Sequence, residues 1–238
     1  MTAVTNIALI PARCGSTRVK DKNIRDLGGV PLIAHTIFPA IDSGLFERVV
    51  VVTDSVDYAD IARSLADISV EMRPPETATK TAPDFLWVSW IHSRLTGLGC
   101  HPDTYCILRP TSPFRTVKTL KRAYDTFFSN NSIDTLRAVQ QVTEHPGKMW
   151  VQKAGRIVPL LPFRDDSEYW HNSQTNTLAE IWVQNASLEI MRPTNITDYK
   201  SITGGSIVPF ETTGIEGFDI NTEADFARAV EIVESLGQ

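Results

Sequence analysis

Apolar runs that alternate with helix-like segments constrain the fold of this chain more than any other feature. The first two runs are NIALIP at residues 6–11 and RVVVVT at residues 48–53. Such runs are typical of strands that are buried on both faces of a parallel sheet. The segment between them has isoleucines at helical spacing, a proline suited to a first helical turn and a glycine suited to a helix end: Ile33, Ile37, Ile41, Pro31 and Gly44. This region is predicted to form a β-loop-α-β unit.

The same alternation continues through most of the chain. Further strands are predicted at residues 68–72, 104–109, 133–139 and 180–190, and helices at residues 57–66, 83–96 and 116–131. In the last segment, FDINTEADFARAVEIVESLG, Thr222 is the predicted N-cap of a helix, with Asp225 at the third position. The pattern predicts an α/β fold with a doubly wound, mostly parallel sheet that binds its ligands at the carboxyl ends of the strands.

The regular pattern breaks after about residue 140. The segment TEHPGKMWVQKAGRIVPLLP predicts a hairpin that turns at Ala154 and Gly155, and FRDDSEYWHNSQTN predicts an exposed loop. We interpret residues 140–185 as an inserted arm that contacts a second subunit. The loop at 163–177 fits either closure over a substrate or contact with a partner, and the sequence favours neither.

Composition narrows the class of protein. The formal net charge of −5 argues against a general nucleic-acid-binding protein, which usually needs a broad basic face. The three cysteines, Cys14, Cys100 and Cys106, show no CxxC spacing, and their odd number argues against a disulfide framework. No segment approaches the roughly 18 apolar residues of a membrane span, and the N-terminus does not resemble a signal peptide. We therefore expect a cytoplasmic protein with reduced thiols and no membrane segment.

One short stretch runs against the acidic balance of the chain. Between Arg13 and Arg25 there are five basic residues and one acid. The stretch lacks GxGxxG and GxxxxGK[ST], but it joins a predicted strand to a predicted helix, where backbone N–H groups can hold phosphates. Its Gly15 can turn the chain with positive φ, and Ser16 can donate to phosphate oxygens. Arg13 and Lys22 can then neutralise a polyphosphate, whereas the alternative is a solvated basic loop.

IPARCGSTRVKDKN, at residues 10–23, resembles the N-terminal signature of the acylneuraminate cytidylyltransferase (CMP-sialic acid synthetase) family, A-R-x-x-S-K-x-x-x-x-K-N. The resemblance continues in order through VVVVTD, RPPETATKTAP, LRPTSPFR, TEHPGKMW and FDINTEADF, so it spans nearly the whole chain. It implies a single nucleotidyltransferase domain, residues 1–238, with a Rossmann-like α/β sheet and a β-rich dimerisation arm. It also implies a homodimeric, Mg²⁺-dependent enzyme that transfers CMP from CTP to an acidic sugar, releases pyrophosphate and serves surface polysaccharide biosynthesis.

The resemblance assigns residues to each part of an active site. The nucleotide-binding residues that it implies are Ala12, Arg13, Gly15, Ser16, Lys22, Asn23, Arg73, Thr81 and Ala82. The acceptor-binding residues that it implies are Arg109, Thr111, Ser112, Arg115 and Asn185. The implied catalytic residues are Arg13, Lys22 and Asp219. Asp219 and Asn221 would hold Mg²⁺, which prefers hard oxygen ligands beside substrate phosphates.

The sequence departs from the family pattern at positions that bear on the metal and the acceptor. Asn221 stands where the family has a second acid, which removes a negative charge from the metal site. Arg109 stands where sialic-acid enzymes have Gln, and Val183 stands where they have the Arg thought to hold the sugar carboxylate. We infer an anionic acceptor that need not be N-acetylneuraminate: a related nonulosonate, a Kdo-like 3-deoxy-octulosonate, another sugar acid or a phosphonate.

Two other interpretations of the same residues stay open. The first keeps cytidylyl transfer but directs it to a phosphonate or another non-sugar acid. The second is a nucleotide-binding homologue with weakened catalysis, which the amide at Asn221 permits. A Rossmann oxidoreductase is disfavoured, because the glycine fingerprint is absent.

Overall fold

Strands and helices alternate along the chain in the computed structural model, which describes residues 4–130, 132–161 and 169–237. The strands are β1 (Asn6–Pro11), β2 (Asp26–Leu27), β3 (Val30–Pro31), β4 (Arg48–Thr53), β5 (Ser69–Met72), β6 (Thr104–Ile107), β7 (Thr135–Gln141), β8 (Trp150–Lys153), β9 (Arg156–Pro159), β10 (Trp182–Met191) and β11 (Ile207–Glu211). The helices are α1 (Ala34–Asp42), α2 (Val56–Leu65), α3 (Asp84–Gly97), α4 (Val117–Phe128), α5 (Thr194–Asp198) and α6 (Glu223–Leu236). The predicted strands at 6–11 and 48–53 are confirmed with those bounds.

Seven strands form one sheet in the order β11-β7-β10-β6-β1-β4-β5. β1 pairs in parallel with both β4 and β6, and β4 pairs in parallel with β5. β10 pairs antiparallel with β6. The arrangement confirms the predicted mostly parallel sheet, in which β10 runs antiparallel to β6.

Helices cover the sheet on both faces, because alternate residues of each central strand point to opposite sides. Ile7 and Leu9 of β1 are buried in one apolar cluster with side chains of α3, including Trp87. Ala8 and Ile10 are buried in another cluster with side chains of α1, α2 and α4. The predicted doubly wound architecture follows from this alternation.

Three local features differ from the expectation. Pro31 lies in the short strand β3 rather than in a first helical turn, because Gly28 and Gly29 adopt positive φ and close a β2–β3 hairpin before α1 begins. β11 has no clear strand pattern in the sequence, because Pro209 breaks the apolar run and fits only an edge strand. The short helix α5 likewise has no counterpart among the predicted elements. By contrast, the predicted cap of α6 is confirmed, with Thr222 and Asp225 forming a capping box.

The chain divides into two compact units, Met1–Ala138 with Asn185–Gln238, and Val139–Gln184. In the second unit, β8 and β9 form the predicted antiparallel hairpin at Ala154 and Gly155. Residues 162–168, which include the start of the predicted exposed loop, lie outside the described residues. Across the described ranges, no helix combines the length and the hydropathy needed to cross a membrane.

Candidate active site

A pocket of about 320 Å³ lies in the first unit at the carboxyl ends of the parallel strands. Pro11 ends β1, Arg73 directly follows β5, and Arg109 comes shortly after β6, and all three line the pocket. Carboxyl ends of adjacent parallel strands are where open α/β sheets bind their ligands. The fold therefore brings together residues that are far apart in the sequence.

The pocket wall carries a strong excess of positive charge. Its cationic side chains are Arg13, Arg18, Lys22, Arg73 and Arg109, and its carboxylates are Asp84 and Asp219. The whole chain has the opposite balance, with a formal net charge of −5. A cavity lined by one sign of charge concentrates ligands of the other sign. The pocket is therefore suited to a polyanion.

The loop after β1 is held by hydrogen bonds on both sides. The Ala12 N–H donates to the Val52 carbonyl, which extends the parallel pairing past the end of β1. The Cys14 backbone N–H and thiol donate to the two carboxylate oxygens of Asp54, at 2.9 and 3.2 Å. The Asn23 side-chain amide donates to the Arg13 carbonyl at 3.2 Å. These bonds fix the loop in the absence of a ligand, and Asp54 also raises the pKa of the Cys14 thiol.

Lys22 joins this loop to the C-terminal part of the chain. Its ammonium group is buried and donates to the Ile220 carbonyl. Burial lowers the pKa of Lys22, and the negative charge of the nearby Asp219 partly opposes that shift. Lys22 therefore places its positive charge beside Asp219, the predicted metal ligand.

Asp219 and Asn221 lie side by side, as expected for residues two apart in an extended segment. The Asn221 amide donates to Asp219 Oδ2 at 2.6 Å. Asp219 Oδ1 is buried and has no hydrogen-bond partner among the described residues. The side-chain Oδ1 of Asn221 accepts from Arg18 Nη2 at 3.1 Å, so this residue braces its neighbours rather than offering a free ligand oxygen.

Arg73 is a buried cation whose hydrogen-bonding capacity is largely unused. Its exposed fraction is only 6%, and within the described residues neither Nε nor Nη2 has a partner. Burial lowers the pKa of this guanidinium, while the nearby Asp54 acts in the opposite direction. Burying an unsatisfied guanidinium is unfavourable, which points to a ligand that completes its hydrogen bonds.

Arg109, at the other end of the pocket, is already paired within the wall. Its Nη2 donates to Asp84 Oδ2 at 2.6 Å and to Glu189 Oε1 at 3.2 Å. The second oxygen of Glu189 accepts from Arg137 at 3.0 Å. Burial alone would lower the pKa of Arg109, but Asp84 and Glu189 raise it above its ordinary value. The cation lies where it was predicted, yet its charge is balanced by the protein.

The pocket brings together nine residues of the predicted site: Arg13, Ser16, Lys22, Asn23, Arg73, Arg109, Thr111, Asp219 and Asn221. The other predicted residues, Ala12, Gly15, Thr81, Ala82, Ser112, Arg115 and Asn185, do not line it. Ala12 is buried, and Gly15 has the expected positive φ of 71° in the loop. The roles assigned to these residues stay predictions.

Ser112 and Arg115 are both buried in the protein, and neither lines the pocket. Ser112 has no exposed surface at all. Arg115 donates to the Ser187 and Arg109 carbonyls and to the Thr36 hydroxyl, and burial lowers its pKa to about 10. Arg115 therefore ties the loop after β6 to its surroundings, and its contact with the acceptor stays a prediction.

The wall residues that sequence reasoning missed as site residues include Arg18, Asp84, Trp87 and Ala186. Arg18 had been counted in the basic stretch without a role of its own. Asp84 and Trp87 belong to the first turn of α3, where the Trp87 indole donates to Asp84 at 2.9 Å. Their helical spacing indicated only a packed helix, so no local signal separated them from core residues.

The chain is similar in sequence to several known proteins. A family model described as Cytidylyltransferase matches residues 7–153. The chain is 30% identical over 232 residues to the CMP-N,N'-diacetyllegionaminic acid synthase of Legionella pneumophila, a match that covers 96% of each protein. It is 36% identical over 143 residues to the N-acylneuraminate cytidylyltransferase of Streptococcus agalactiae serotype III, a match that covers 59% of this chain and 33% of that protein.

Two solved structures share the fold. CMP:2-keto-3-deoxy-manno-octonic acid synthetase complexed with CTP gives a TM-score of 0.72 at 14% identity, covering 98% of this chain and 99% of that one. A 4-diphosphocytidyl-2C-methyl-D-erythritol synthase gives a TM-score of 0.67 at 14% identity, covering 98% and 100%. At these identities the likeness concerns the fold alone, and it confirms the predicted Rossmann-like sheet.

Proposed function

Because the chain belongs to the cytidylyltransferase family, we propose that it transfers CMP from CTP to a hydroxyl group of a nonulosonic acid and releases pyrophosphate. The observation that carries the proposal is the pocket at the carboxyl ends of the strands, where five cationic side chains face two carboxylates. That balance suits a triphosphate. The activated sugar acid would serve surface polysaccharide biosynthesis.

The nucleotide is proposed to bind at the end of the pocket formed by the loop after β1. Arg13 and Lys22 line the pocket and would form charge-assisted hydrogen bonds with the phosphates, which are stronger than hydrogen bonds between neutral groups. Ser16 adds a hydroxyl donor. Arg73, with its unpartnered Nε and Nη2, is proposed to donate to the cytosine ring. Because Asp54 already holds the loop, the loop needs little rearrangement when CTP binds. Such preorganisation increases the affinity for the nucleotide.

Asp219 fits the Mg²⁺ that the family resemblance implies. Its buried Oδ1 has no hydrogen-bond partner among the described residues, and an anionic oxygen is the ligand that Mg²⁺ prefers. No group of three His, Cys, Asp or Glu residues that could enclose an ion occurs in the described ranges, which fits an ion held largely by substrate phosphates and water. A bound Mg²⁺ would supply Lewis-acid neutralisation of the phosphate charge.

In the proposed reaction the acceptor hydroxyl oxygen bonds to the α-phosphorus and releases its proton to solvent. The bond from that phosphorus to the α,β-bridging oxygen breaks, and this oxygen leaves as part of pyrophosphate. Catalysis of such a step consists mainly of positioning and of charge stabilisation. Arg13 and Lys22 are proposed to stabilise the charge that develops on pyrophosphate as it leaves. The fixed loop geometry keeps both cations in position before the substrates bind.

The acceptor is proposed to lie toward Asp84, Trp87 and Ala186, away from the phosphate loop. The relatives named above act on legionaminic acid and N-acylneuraminate, both nonulosonic acids. Asp84 can accept hydrogen bonds from sugar hydroxyl or amide groups, because its side chain is 37% exposed. Arg109 is balanced by Asp84 and Glu189, so its predicted contact with the acceptor carboxylate would need these pairs to rearrange.

Pyrophosphate release from CTP tests the proposal, using the full chain, Mg²⁺ and a panel of acceptors. The panel contains N,N'-diacetyllegionaminic acid, N-acetylneuraminic acid, pseudaminic acid, Kdo and a simple phosphonate. We expect release with at least one nonulosonic acid, together with a CMP-sugar detected by mass spectrometry. Release with the phosphonate alone would contradict the acceptor class. CTP binding without release for any acceptor would favour the weakened homologue.

The second unit, Val139–Gln184, corresponds closely to the arm predicted at residues 140–185. It is proposed to be a dimerisation arm. The β8–β9 hairpin exposes a set of apolar side chains, namely Trp150, Val151, Ile157, Val158 and Leu160. Apolar clusters of this kind commonly mark protein interfaces. Ile157→Asp, at the most exposed of these positions, should convert a dimer to a monomer in light scattering coupled to size-exclusion chromatography. A wild-type chain that is monomeric at micromolar concentration would contradict the proposal.

A cytoplasmic location is proposed from the chemistry of the cysteines. Cys14, Cys100 and Cys106 are all free thiols in the structure. Free thiols of this kind fit a reducing compartment. Cell fractionation followed by immunoblotting should recover the chain in the cytosolic fraction, and recovery in a secreted fraction would contradict this location.

A further inference from the structure

We propose that Asn221 holds the Arg18 guanidinium at the pocket as a fixed cation, so that the site takes a single divalent ion on Asp219. The inference rests on the proposed function, because it concerns how the same pocket binds CTP. It gives Arg18 a role of its own as a residue that neutralises phosphate charge. It also gives the amide at Asn221 a purpose that a carboxylate there could not serve.

The two hydrogen bonds of Asn221 define its orientation. Its Nδ2 donates to Asp219 Oδ2 at 2.6 Å, and its Oδ1 accepts from Arg18 Nη2 at 3.1 Å. If the amide were flipped, its Nδ2 would face the donors of the Arg18 guanidinium and its Oδ1 would face the Asp219 carboxylate. Both hydrogen bonds would then be lost. Only a neutral group with a donor end and an acceptor end can bridge a carboxylate and a guanidinium in this way.

The bridge leaves room for one ion. Asp219 Oδ2 is used by Asn221, whereas Asp219 Oδ1 is buried and without a partner in the part of the chain that the structure describes. A second ion placed at Asn221 Oδ1 would meet Arg18, which already donates to that oxygen and would repel a cation there. Arg18 therefore supplies near Asn221 the positive charge that a second ion would bring.

Arg18 also lies close enough to act on the same ligand as its neighbours. It lines the pocket together with Lys22, and its positive charge contributes to the lowered pKa of that lysine. Like charges held close together are unfavourable until an anion binds between them. Phosphate oxygens would relieve this repulsion, which is the expected origin of the contribution of Arg18 to affinity.

The first experiment counts bound ions rather than turnover. Mn²⁺ is titrated into the full chain saturated with a CTP analogue whose α–β bridge is a methylene group, and bound Mn²⁺ is measured by electron paramagnetic resonance. We expect one Mn²⁺ per chain, and its loss in Asp219→Asn. Two ions per chain in the wild type, with the analogue tightly bound, would overturn this inference while leaving the proposed function intact. Failure to bind the analogue at all would overturn the proposed function itself.

The second experiment tests whether Arg18 acts through Asn221. Arg18→Ala should weaken binding of the analogue about tenfold, the effect expected for one charge-assisted hydrogen bond. Asn221→Ala should weaken it by a smaller factor, and the double variant should match Arg18→Ala alone, since the two residues act as a unit. Effects that multiply in the double variant would contradict the bridge. Lys20→Ala is the matched control, because Lys20 is an exposed cation of the same loop outside the pocket wall, and we expect a change below about twofold.

A third variant tests the exclusion of a second ion directly. Arg18→Ala combined with Asn221→Asp removes the blocking cation and supplies a second carboxylate. We expect this variant to bind two Mn²⁺ with the analogue present. A count that stays at one would show that the Arg18–Asn221 pair does not set the number of ions.

Discussion

The two ends of the pocket use cations in opposite ways. At the end formed by the loop after β1, no carboxylate of the described residues forms an ion pair with Arg13, Lys22 or Arg73. At the other end, Arg109 is enclosed by Asp84 and Glu189. The first arrangement keeps positive charge available for a ligand. In the second, carboxylates of the protein neutralise the positive charge.

This difference separates cations that contribute to ligand affinity from cations that contribute to the stability of the fold. A buried cation without a carboxylate partner is unfavourable until an anionic ligand binds. Its removal should therefore affect ligand affinity more than folding. A cation paired with two carboxylates holds the wall together, so its removal should affect folding more than nucleotide affinity. Substitutions at the two ends should therefore differ in which of these two quantities they change.

Asp219→Asn should have the largest effect. Without the free carboxylate oxygen, Mg²⁺-dependent turnover is expected to fall about 10³-fold, which corresponds to several kcal/mol of charge stabilisation. Steady-state pyrophosphate release over a range of Mg²⁺ concentrations measures it. Glu223→Gln is the matched control, because Glu223 is an exposed acid four residues later that pairs with Arg25 outside the pocket wall. Wild-type turnover in Asp219→Asn would remove Asp219 from the site.

Arg73→Met should weaken CTP binding about 10- to 100-fold, because one or two charge-assisted hydrogen bonds are lost. The same change should raise the free energy of unfolding by about 1 kcal/mol, since an unsatisfied buried guanidinium is replaced by an apolar side chain. Isothermal titration calorimetry and urea denaturation measure the two quantities. Unchanged affinity together with lower stability would assign Arg73 to the wall rather than to the ligand.

Arg109→Gln should show the opposite pattern. We expect the free energy of unfolding to fall by about 2 kcal/mol, because Asp84 and Glu189 lose a shared partner in a largely buried position. CTP affinity should change less than about threefold, since the residue lies away from the proposed phosphate site. Urea denaturation and calorimetry again provide the measurements. If stability is unchanged and the acceptor KM rises more than tenfold, Arg109 contacts the acceptor as the sequence predicts.

Glu216→Gln should have the smallest effect, and one that depends on pH. Burial works to raise the pKa of Glu216, but hydrogen bonds from Thr119, Thr213 and Arg122 hold it below the ordinary value of 4.5. The ionised carboxylate therefore stabilises the fold above that pH, and this contribution is lost as the pH falls through the lowered pKa. At pH 7 the variant should be less stable by about 1 kcal/mol. The difference in urea denaturation should shrink toward pH 3, and a constant difference would contradict this origin.

Sequence reasoning predicted the parts of the molecule that depend on local pattern. The strands at 6–11 and 48–53 are buried runs, and the cap at Thr222 depends on a residue three positions away, so each leaves a local signature. The position of the basic loop between a predicted strand and a predicted helix likewise indicates phosphate binding, and that role stays a prediction. These features required no knowledge of which distant segments meet.

The charge partners within the pocket could not be predicted, because they join segments far apart in the chain. Arg18 meets Asn221 across 203 positions, and Arg109 meets Glu189 across 80. The sequence therefore identified Arg109 as a cation in the right place, but it gave no sign that the protein balances its charge. The burial of Arg115 could not be predicted for a related reason, since it depends on packing around the loop after β6.

A crystal structure of the full chain with Mg²⁺ and the α,β-methylene CTP analogue tests the central claim most directly, namely that the end with unpaired cations holds the triphosphate. The account predicts phosphate oxygens within hydrogen-bond distance of Arg13, Ser16 and Lys22, with the pairs of Arg109 to Asp84 and Glu189 intact. Phosphates bound to Arg109, with its carboxylate partners displaced, would contradict it.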